Sequence, residues 1–155
     1  GQIYAIGGVS KTGFRRCHDP ENPGGSMASF RNRADQIKDS GGYAAEGFGF
    51  DLNGFAGSPA PRFGEDSRCE IPQTNPITYP FTSFAGDVTF TEHKAGMRTF
   101  DFNEEGMVHI GLLPELIQDA RNDGASDEDL EILFRSAEGY IRMWEKAEAR
   151  ASAMP

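Results

Sequence analysis

The sequence predicts an α/β fold whose sheet is incomplete within this chain. Two short apolar runs, 2–10 and 43–50, are rich in β-branched and aromatic residues, a pattern typical of strands covered on both faces. Segment 26–42 between them reads as a helix that Ser26 or Ser29 can cap. Strand, helix and strand form a βαβ unit with a right-handed crossover. Buried strands need neighbours on both edges, so either the pair lies at a sheet edge or another polypeptide completes the sheet.

A long irregular segment follows, from Leu52 to about Thr99. Five prolines between positions 59 and 80 rule out a helix there. Further along, 87–93 alternates like an exposed strand, and 97–103 is expected to pair with it as a hairpin. A loop of this length is unusual within a domain, which marks the segment as a candidate functional insertion.

The remainder of the chain is predicted to be helical. Pro114 suits the first turn of a helix that ends at Gly124. A second helix begins after Ser126, whose hydroxyl can cap it, and three acidic residues favour its amino-terminal end. Six apolar residues recur at helical spacing along this second helix and are expected to pack in the core: Leu130, Leu133, Phe134, Ala137, Ile141 and Trp144.

The charge of the chain limits its function. The 155 residues include 24 acidic and 15 basic side chains, which gives a formal net charge of −9. Nucleic acids and anionic membrane surfaces are both recognised through basic patches, so neither is an expected partner. No apolar run approaches the roughly 20 residues that a membrane-spanning helix needs.

Cys17 and Cys69 both lie in loops rich in glycine, proline and charged residues. They either form a disulfide, which would imply an oxidising compartment such as the periplasm or the extracellular space, or remain unpaired thiols. A metal site is not expected at Cys17, because no Cys-x-x-Cys pair is present and the adjacent His18 is too close for the usual ligand spacing. The chain starts with Gly1 rather than methionine, so we expect a processed terminus or a longer precursor.

Two motif-like segments do not meet the requirements of the motifs they suggest. The stretch "DFNEEG" (101–106) begins like a calcium-binding loop, but Leu112 stands where a bidentate glutamate is required. The stretch "GFGFDLNG" (47–54) lacks the spacing of the dinucleotide fingerprint and does not open a helix.

The three histidines show no metal-ligand spacing. His109, in an apolar stretch, is the one expected to be buried, where it either packs structurally or lines a site.

Asp51 is the leading candidate for chemistry. It directly follows the second predicted strand, and in parallel α/β folds the carboxyl ends of the strands carry the functional residues. Apolar surroundings would raise its pKa, whereas a nearby metal or cation would keep it ionised as a base. From position alone a structural role is equally open, because an aspartate in "DLNG" can accept an Asx-turn hydrogen bond.

These segments together resemble the carboxy-terminal part of the membrane dipeptidase family (renal dipeptidase-like, peptidase M19). Strand, capped helix and "GFGFDLNG" are similar to its last two strand–helix units, where the final strand carries Gly-(Ile/Phe)-Gly-x-Asp-x-(Asp/Asn)-Gly. The ending "GLLPELIQDARNDGASDEDLEILFRSAEGYIRMWEKA" resembles the final helices of the family. The stretches "PAPRFG" and "RTFDFNEEGMVHIGLLPELI" resemble its longer bacterial branch. The resemblance covers most of the chain, through short motifs.

The resemblance implies a (β/α)8 TIM barrel of the metal-dependent hydrolase type. This chain would hold the last two strands with their helix (1–51), an irregular insertion with a β-hairpin (52–106) and carboxy-terminal helices packing on the barrel (107–155). The family also implies a binuclear zinc site that hydrolyses a dipeptide or related amide. Asp51 matches the acid of the last strand, which binds or deprotonates the metal-bridging water and then protonates the leaving amine. Asn53 stands where the motif commonly has a second aspartate.

The zinc ligands of the family come from earlier strands, and none is carried over to this chain. We therefore expect a larger partner chain or an upstream segment to supply about six strands and the zinc, with this chain as a fragment or a processed subunit. Asn53, Arg62 and His109 are the candidate substrate-binding residues, and Arg62 either binds a substrate carboxylate or forms a structural ion pair. The alternative function is a metal-less barrel subunit with a structural or binding role in a larger assembly.

Overall fold

A computed structural model describes residues 2–9, 16–47, 49–50, 52 and 59–153. Within these ranges the chain divides into two units. The first unit comprises Gly1–Gly13, Phe30–Gly49 and Ser126–Pro155, and the second comprises Phe14–Ser29 and Phe50–Ala125. The helices are α1 Gln2–Ala5, α2 Gly25–Asp39, α3 Phe102–Glu105, α4 Leu113–Asn122, α5 Asp127–Phe134 and α6 Ser136–Ser152, and a 3₁₀ turn spans Ile110–Leu112. The strands are β1 Phe81–Thr82, β2 Thr89–Phe90, β3 Lys94–Ala95 and β4 Arg98–Thr99.

The core of the first unit forms where α2 and α5 bury their apolar faces. Phe30, Ala34 and Ile37 are buried on one face of α2, as their spacing predicts. Helix α5 begins with the expected cap: the Ser126 hydroxyl accepts from the backbone N–H of Asp129, whose carboxylate accepts in return from the N–H of Ser126. These two helix predictions rest on local sequence signals, and the structure confirms them.

The strand predicted over 2–10 is wrong, because this segment begins with helix α1. Two hydrogen bonds end this helix: the N–H of Gly7 donates to the carbonyl of Tyr4, and the N–H of Gly8 donates to the carbonyl of Ile3. The strand predicted over 43–50 is also wrong, since none of its described residues belongs to a strand. The 2–10 run closes its helix with local hydrogen bonds, whereas in the 43–50 run the N–H of Glu46 donates to the Ile132 carbonyl at 2.9 Å and Gly47 forms a single β-bridge. The described residues accordingly contain no barrel sheet.

The single helix predicted after Ser126 is interrupted at Arg135, where α5 ends and α6 begins. The apolar stripe on these helices is correspondingly divided. Leu130 and Leu133 are buried as predicted. The prediction that the rest of the stripe lies in the core is wrong, because its large side chains are about half exposed: Phe134, Ile141 and Trp144. The cause lies on the opposite side of α6.

Helix α6 packs through Gly139. This glycine is buried, and a Cβ placed on it would lie 2.4 Å from the Cβ of Ala45. Gly139 thus faces Ala45, whereas Ile141 and Trp144 lie on other faces of α6, where they stay about half exposed. Backbone proximity at one glycine therefore outweighs the apolar stripe in setting the rotation of α6.

The second unit contains two antiparallel strand pairs, β1 with β2 and β3 with β4. The predicted hairpin between 87–93 and 97–103 is present in a shortened form, with Lys94 opposite Thr99 and the N–H of Phe100 donating to the carbonyl of His93. Residues 89–90 pair instead with β1, which lies in the stretch predicted to be irregular. The helix predicted from Pro114 is confirmed as α4, which buries Leu116, Ile117 and Ala120. No helix among the described residues has the length and apolar character needed to cross a membrane.

Candidate functional site

The second unit holds a group of polar and charged side chains, of which all but His18 are almost completely excluded from solvent. It includes Arg62, a predicted substrate-binding residue that is 1% exposed. The predicted catalytic Asp51 and its neighbour Asn53 lie outside the described residues. We call this group the buried ion cluster, and its members are Arg16, His18, Ser26, Arg62, Asp119 and Asp123.

Asp119 lies between the two arginines of the buried ion cluster. Arg62 donates from Nη2 to Asp119 Oδ1 at 2.8 Å and to the carbonyl of Asn75 at 3.3 Å. Arg16 donates from Nε to Asp119 Oδ2 at 2.9 Å and from Nη1 to the carbonyl of Ala60 at 3.0 Å. Arg62 is thus found in the structural ion pair, the second of its two predicted roles, and its guanidinium offers no exposed surface to a ligand.

The charge of Asp119 is maintained by its partners. Burial alone would raise the pKa of this carboxyl, but Arg16 and Arg62 together with a hydrogen bond from the Ser26 hydroxyl hold it below its ordinary value. The carboxylate is therefore ionised at neutral pH, and both of its oxygens have charged donors.

Asp123 follows one helical turn after Asp119 and faces the same cluster. Its Oδ1 lies 3.1 Å from His18 Nε2 and 3.5 Å from Arg62 Nη1. Its Oδ2 accepts from the backbone N–H of Ser26 at 2.8 Å, in the first turn of α2. A carboxylate at this end of a helix is favoured by the exposed N–H groups. The prediction that Ser26 caps α2 with its own hydroxyl is wrong, because that hydroxyl donates to Asp119.

The cluster fixes the chain segment that follows the "GFGFDLNG" motif, from Pro59 to Phe63. In addition to the contact of Arg16 with the segment, the N–H of Met107 donates to the Pro59 carbonyl at 3.0 Å, and the N–H of Phe63 donates to the Asn103 carbonyl at 3.2 Å. The segment also passes close to Gly106, where an added Cβ would lie 2.6 Å from the Pro59 carbonyl oxygen. Side-chain and backbone contacts thus hold this segment from several directions.

A disulfide joins Cys17 to Cys69, with 5.4 Å between their Cα atoms. The sequence left both a disulfide and two unpaired thiols possible, and the structure contains the disulfide. The bond ties the residue next to Arg16 to the loop after Arg62, and in that loop Ser67 donates from its hydroxyl to the carbonyl of Arg62 at 2.8 Å. The disulfide therefore links covalently the two chain segments that carry Arg16 and Arg62.

His109, the other predicted substrate-binding residue that is described, lies away from these contacts in a stack of rings. Its Nδ1 accepts from the backbone N–H of Gly111 at 3.0 Å and so caps the 3₁₀ turn. Its ring stacks on His93 and Phe100, with centroids 4.8 Å and 5.1 Å away. Since Nδ1 is an acceptor, the neutral ring carries its proton on Nε2, which leaves one donor for another group. A structural role is thus evident, and substrate binding stays a prediction.

A second buried carboxyl lies at the start of α4. Glu115 is 2% exposed, and its Oε1 accepts from the hydroxyl of Tyr79 at 3.2 Å. Its Oε2 has no hydrogen-bond partner among the described residues. Burial raises the pKa of Glu115, and burial together with the nearby glutamate also raises the pKa of Tyr79. The pair is held in its protonated state over a wider pH range than either group alone in water.

The described residues do not fit a zinc centre. No three of their histidine, cysteine, aspartate or glutamate side chains are placed to share a metal ion. His18 contacts Asp123, and the two remaining histidines stack on one another. Comparisons with protein-family models, with curated proteins and with solved structures found no match for this chain.

Sequence reasoning missed the acidic members of the buried ion cluster. Asp119 and Asp123 lie in and directly after α4, the helix predicted from Pro114, and neither is among the predicted site residues. Yet Asp119 lies among Leu116, Ile117 and Ala120, which make up the apolar face of that helix. A charged residue on the apolar face of a helix needs a charged partner. The position of Asp119 on that face is therefore the sequence signal that could have predicted its ion pair.

Proposed function

We propose that this chain is the carboxy-terminal part of a dipeptidase-like hydrolase acting on a dipeptide or related amide, with Asp51 as its general base. The proposal originates in the resemblance of "GFGFDLNG" and of the ending to the membrane dipeptidase family. The observation that supports it best is the anchoring of the chain on both sides of Asp51. Phe50, immediately before it, is 6% exposed, and the segment from Pro59 to Phe63 is held by the contacts described above. A catalytic carboxylate depends on a well-placed backbone, and these contacts place described residues that flank the segment carrying Asp51.

In this proposal the buried ion cluster is a positioning device rather than a binding site. Arg16 and Arg62 donate hydrogen bonds to Asp119 and to backbone carbonyls. These contacts hold in place the segment from Pro59 to Phe63, which follows the motif. Asp51 accepts a proton from the water that attacks the amide carbon and returns a proton to the departing amine. Atoms and charges then balance over the cycle, and the carboxylate is regenerated.

Zinc belongs to the partner in this proposal, because the described residues of this chain do not fit it. We accordingly assign no step through the metal to any residue described here. The proposed partner is a larger chain, or an upstream segment, that supplies the remaining strands. The disulfide between Cys17 and Cys69 supports a periplasmic or extracellular location, since such bonds persist in oxidising compartments.

The proposal is tested on the native protein isolated without denaturant. Intact mass of the isolated species identifies any larger chain, metal analysis gives its zinc content, and a panel of dipeptides tests for hydrolysis. We expect a larger chain, two zinc ions per active site and hydrolysis of at least one dipeptide. A complex that contains the larger chain but neither zinc nor activity would contradict the hydrolase and favour the structural subunit.

A further inference from the structure

The first unit contains a cavity of about 150 Å³ between the turn after α1 and helix α6. Its polar walls are the side chains of Tyr43, Arg142, Glu145 and Lys146, and the Gly7–Gly8 turn completes it. None of these residues belongs to the buried ion cluster or to the motif around Asp51.

Two of the walls are cations of α6, Arg142 and Lys146, whose side chains are also exposed to solvent. Arg142 lies with its guanidinium 4.3 Å from the centroid of the Tyr43 ring and donates from Nε to Glu138 at 2.7 Å. An arginine side chain has five N–H donors, so this pairing leaves others for a ligand. The ring of Tyr43 and the ion pair with Glu138 together restrict the position of the guanidinium.

Gly7 makes room for the second cation. A Cβ at this position would lie 2.4 Å from Cδ and 2.8 Å from Nζ of Lys146. The φ angle of Gly7 is +87°, a value that other residues rarely adopt. The absence of a side chain thus allows the ammonium group of Lys146 to lie against the backbone of the turn at the cavity.

The charges that line the cavity are not neutralised by one another. Among the described residues, neither Glu145 nor Lys146 has an ion-pair partner within 4.0 Å, although both contribute to the same cavity. The Tyr43 hydroxyl likewise makes no hydrogen bond in that part of the chain. The cavity therefore presents one unpaired negative group, one unpaired positive group and a neutral donor.

We propose that this cavity binds a small zwitterion, an α-amino acid of the size of glycine or alanine. Its carboxylate would meet Lys146 and Arg142, and its ammonium group would meet Glu145. A ligand with a single charge would leave one of the two unpaired walls uncompensated. The volume of about 150 Å³ lies below the roughly 300–1,000 Å³ of typical ligand pockets, which favours a very small ligand. The inference does not depend on the proposed hydrolase.

The test is titration of the purified chain with glycine, acetate and methylammonium, followed by NMR shifts of the amides around the cavity. We expect saturable glycine binding in the millimolar range, with acetate and methylammonium each weaker by at least about tenfold. Lys146→Gln and Glu145→Gln should each weaken glycine binding by a similar factor. Arg150→Gln, on the same helix but outside the cavity, is the matched control and should leave binding unchanged.

Two results would overturn the proposal. One is the absence of saturable glycine binding up to about 50 mM in a folded wild-type chain. The other is acetate binding as tight as that of glycine together with normal binding by Glu145→Gln, which would indicate a bare anion site. All three substitutions are on the exposed side chains of one helix, so circular dichroism can verify that each variant folds.

Discussion

Nη2 of Arg62 lies 2.8 Å from Oδ1 of Asp119, and both side chains are wholly excluded from solvent. The other oxygen of Asp119 is taken by Arg16. Such a group of buried charges acts as a unit, because the removal of one member leaves the others desolvated without compensation. Through the hydrogen bond of Arg16 to the Ala60 carbonyl and through Arg62 itself, the cluster helps to hold the segment from Pro59 to Phe63.

Asp119→Asn should destabilise the second unit by about 3–5 kcal/mol, since it leaves the buried guanidinium of Arg16 without its counter-charge and that of Arg62 with Asp123 alone. The free energy of unfolding in urea measures the effect. Glu131→Gln is the control, because it breaks the exposed ion pair with Arg135 and should cost at most about 0.5 kcal/mol. Equal effects of the two substitutions would show that the buried ion cluster does not stabilise the fold.

Loss of the disulfide should weaken the same region. For the sequence separation of 52 from Cys17 to Cys69, loop-closure entropy gives about 4 kcal/mol of stabilisation. The double substitution Cys17→Ser, Cys69→Ser should lower the free energy of unfolding by that order. It should also increase amide exchange at Ala60 and Phe63, because Arg16 is then held less tightly. If the reduced and oxidised chains unfold at the same urea concentration, the covalent link has no such role.

The pH dependence of stability should reveal Glu115. Its pKa in the folded state is raised by burial, so its contribution to stability is fully present below its ordinary value of 4.5 and is lost as the pH rises through the folded-state pKa. Glu115→Gln keeps an acceptor for the Tyr79 hydroxyl but carries no charge. The variant should gain stability relative to the wild type between pH 4 and pH 8. Parallel stability profiles over this range would contradict a buried, titrating Glu115.

The helices could be predicted from sequence because their signals are local. The capping pair of Ser126 and Asp129, the proline in the first turn of α4 and the apolar face of α2 each act within a few residues. The strands could not be predicted from local signals, because a buried strand is stable only beside a neighbouring strand. The run at 2–10 has the composition of a strand, yet Gly7 and Gly8 close the short helix α1 when no neighbour is present.

The positions of charged and exposed residues depended on distant contacts. The rotation of α6 is set by the approach of Gly139 to Ala45, which lies about 90 residues earlier and has no sequence signal of its own. The partner of Arg62 is likewise 57 residues away. Sequence reasoning identified Arg62 and the possibility of an ion pair, but only the fold identifies Asp119 as the other member.

The hydrolysis of a dipeptide by the native complex, compared between wild type and Asp51→Asn, tests the central claim most directly. Asp66→Asn is the matched control, since this exposed aspartate in the second unit has no proposed role in the reaction. We predict that Asp51→Asn lowers kcat by about 10²–10⁴-fold, the usual effect of losing a general base, while Asp66→Asn retains activity. Full activity of the Asp51→Asn complex would contradict the account.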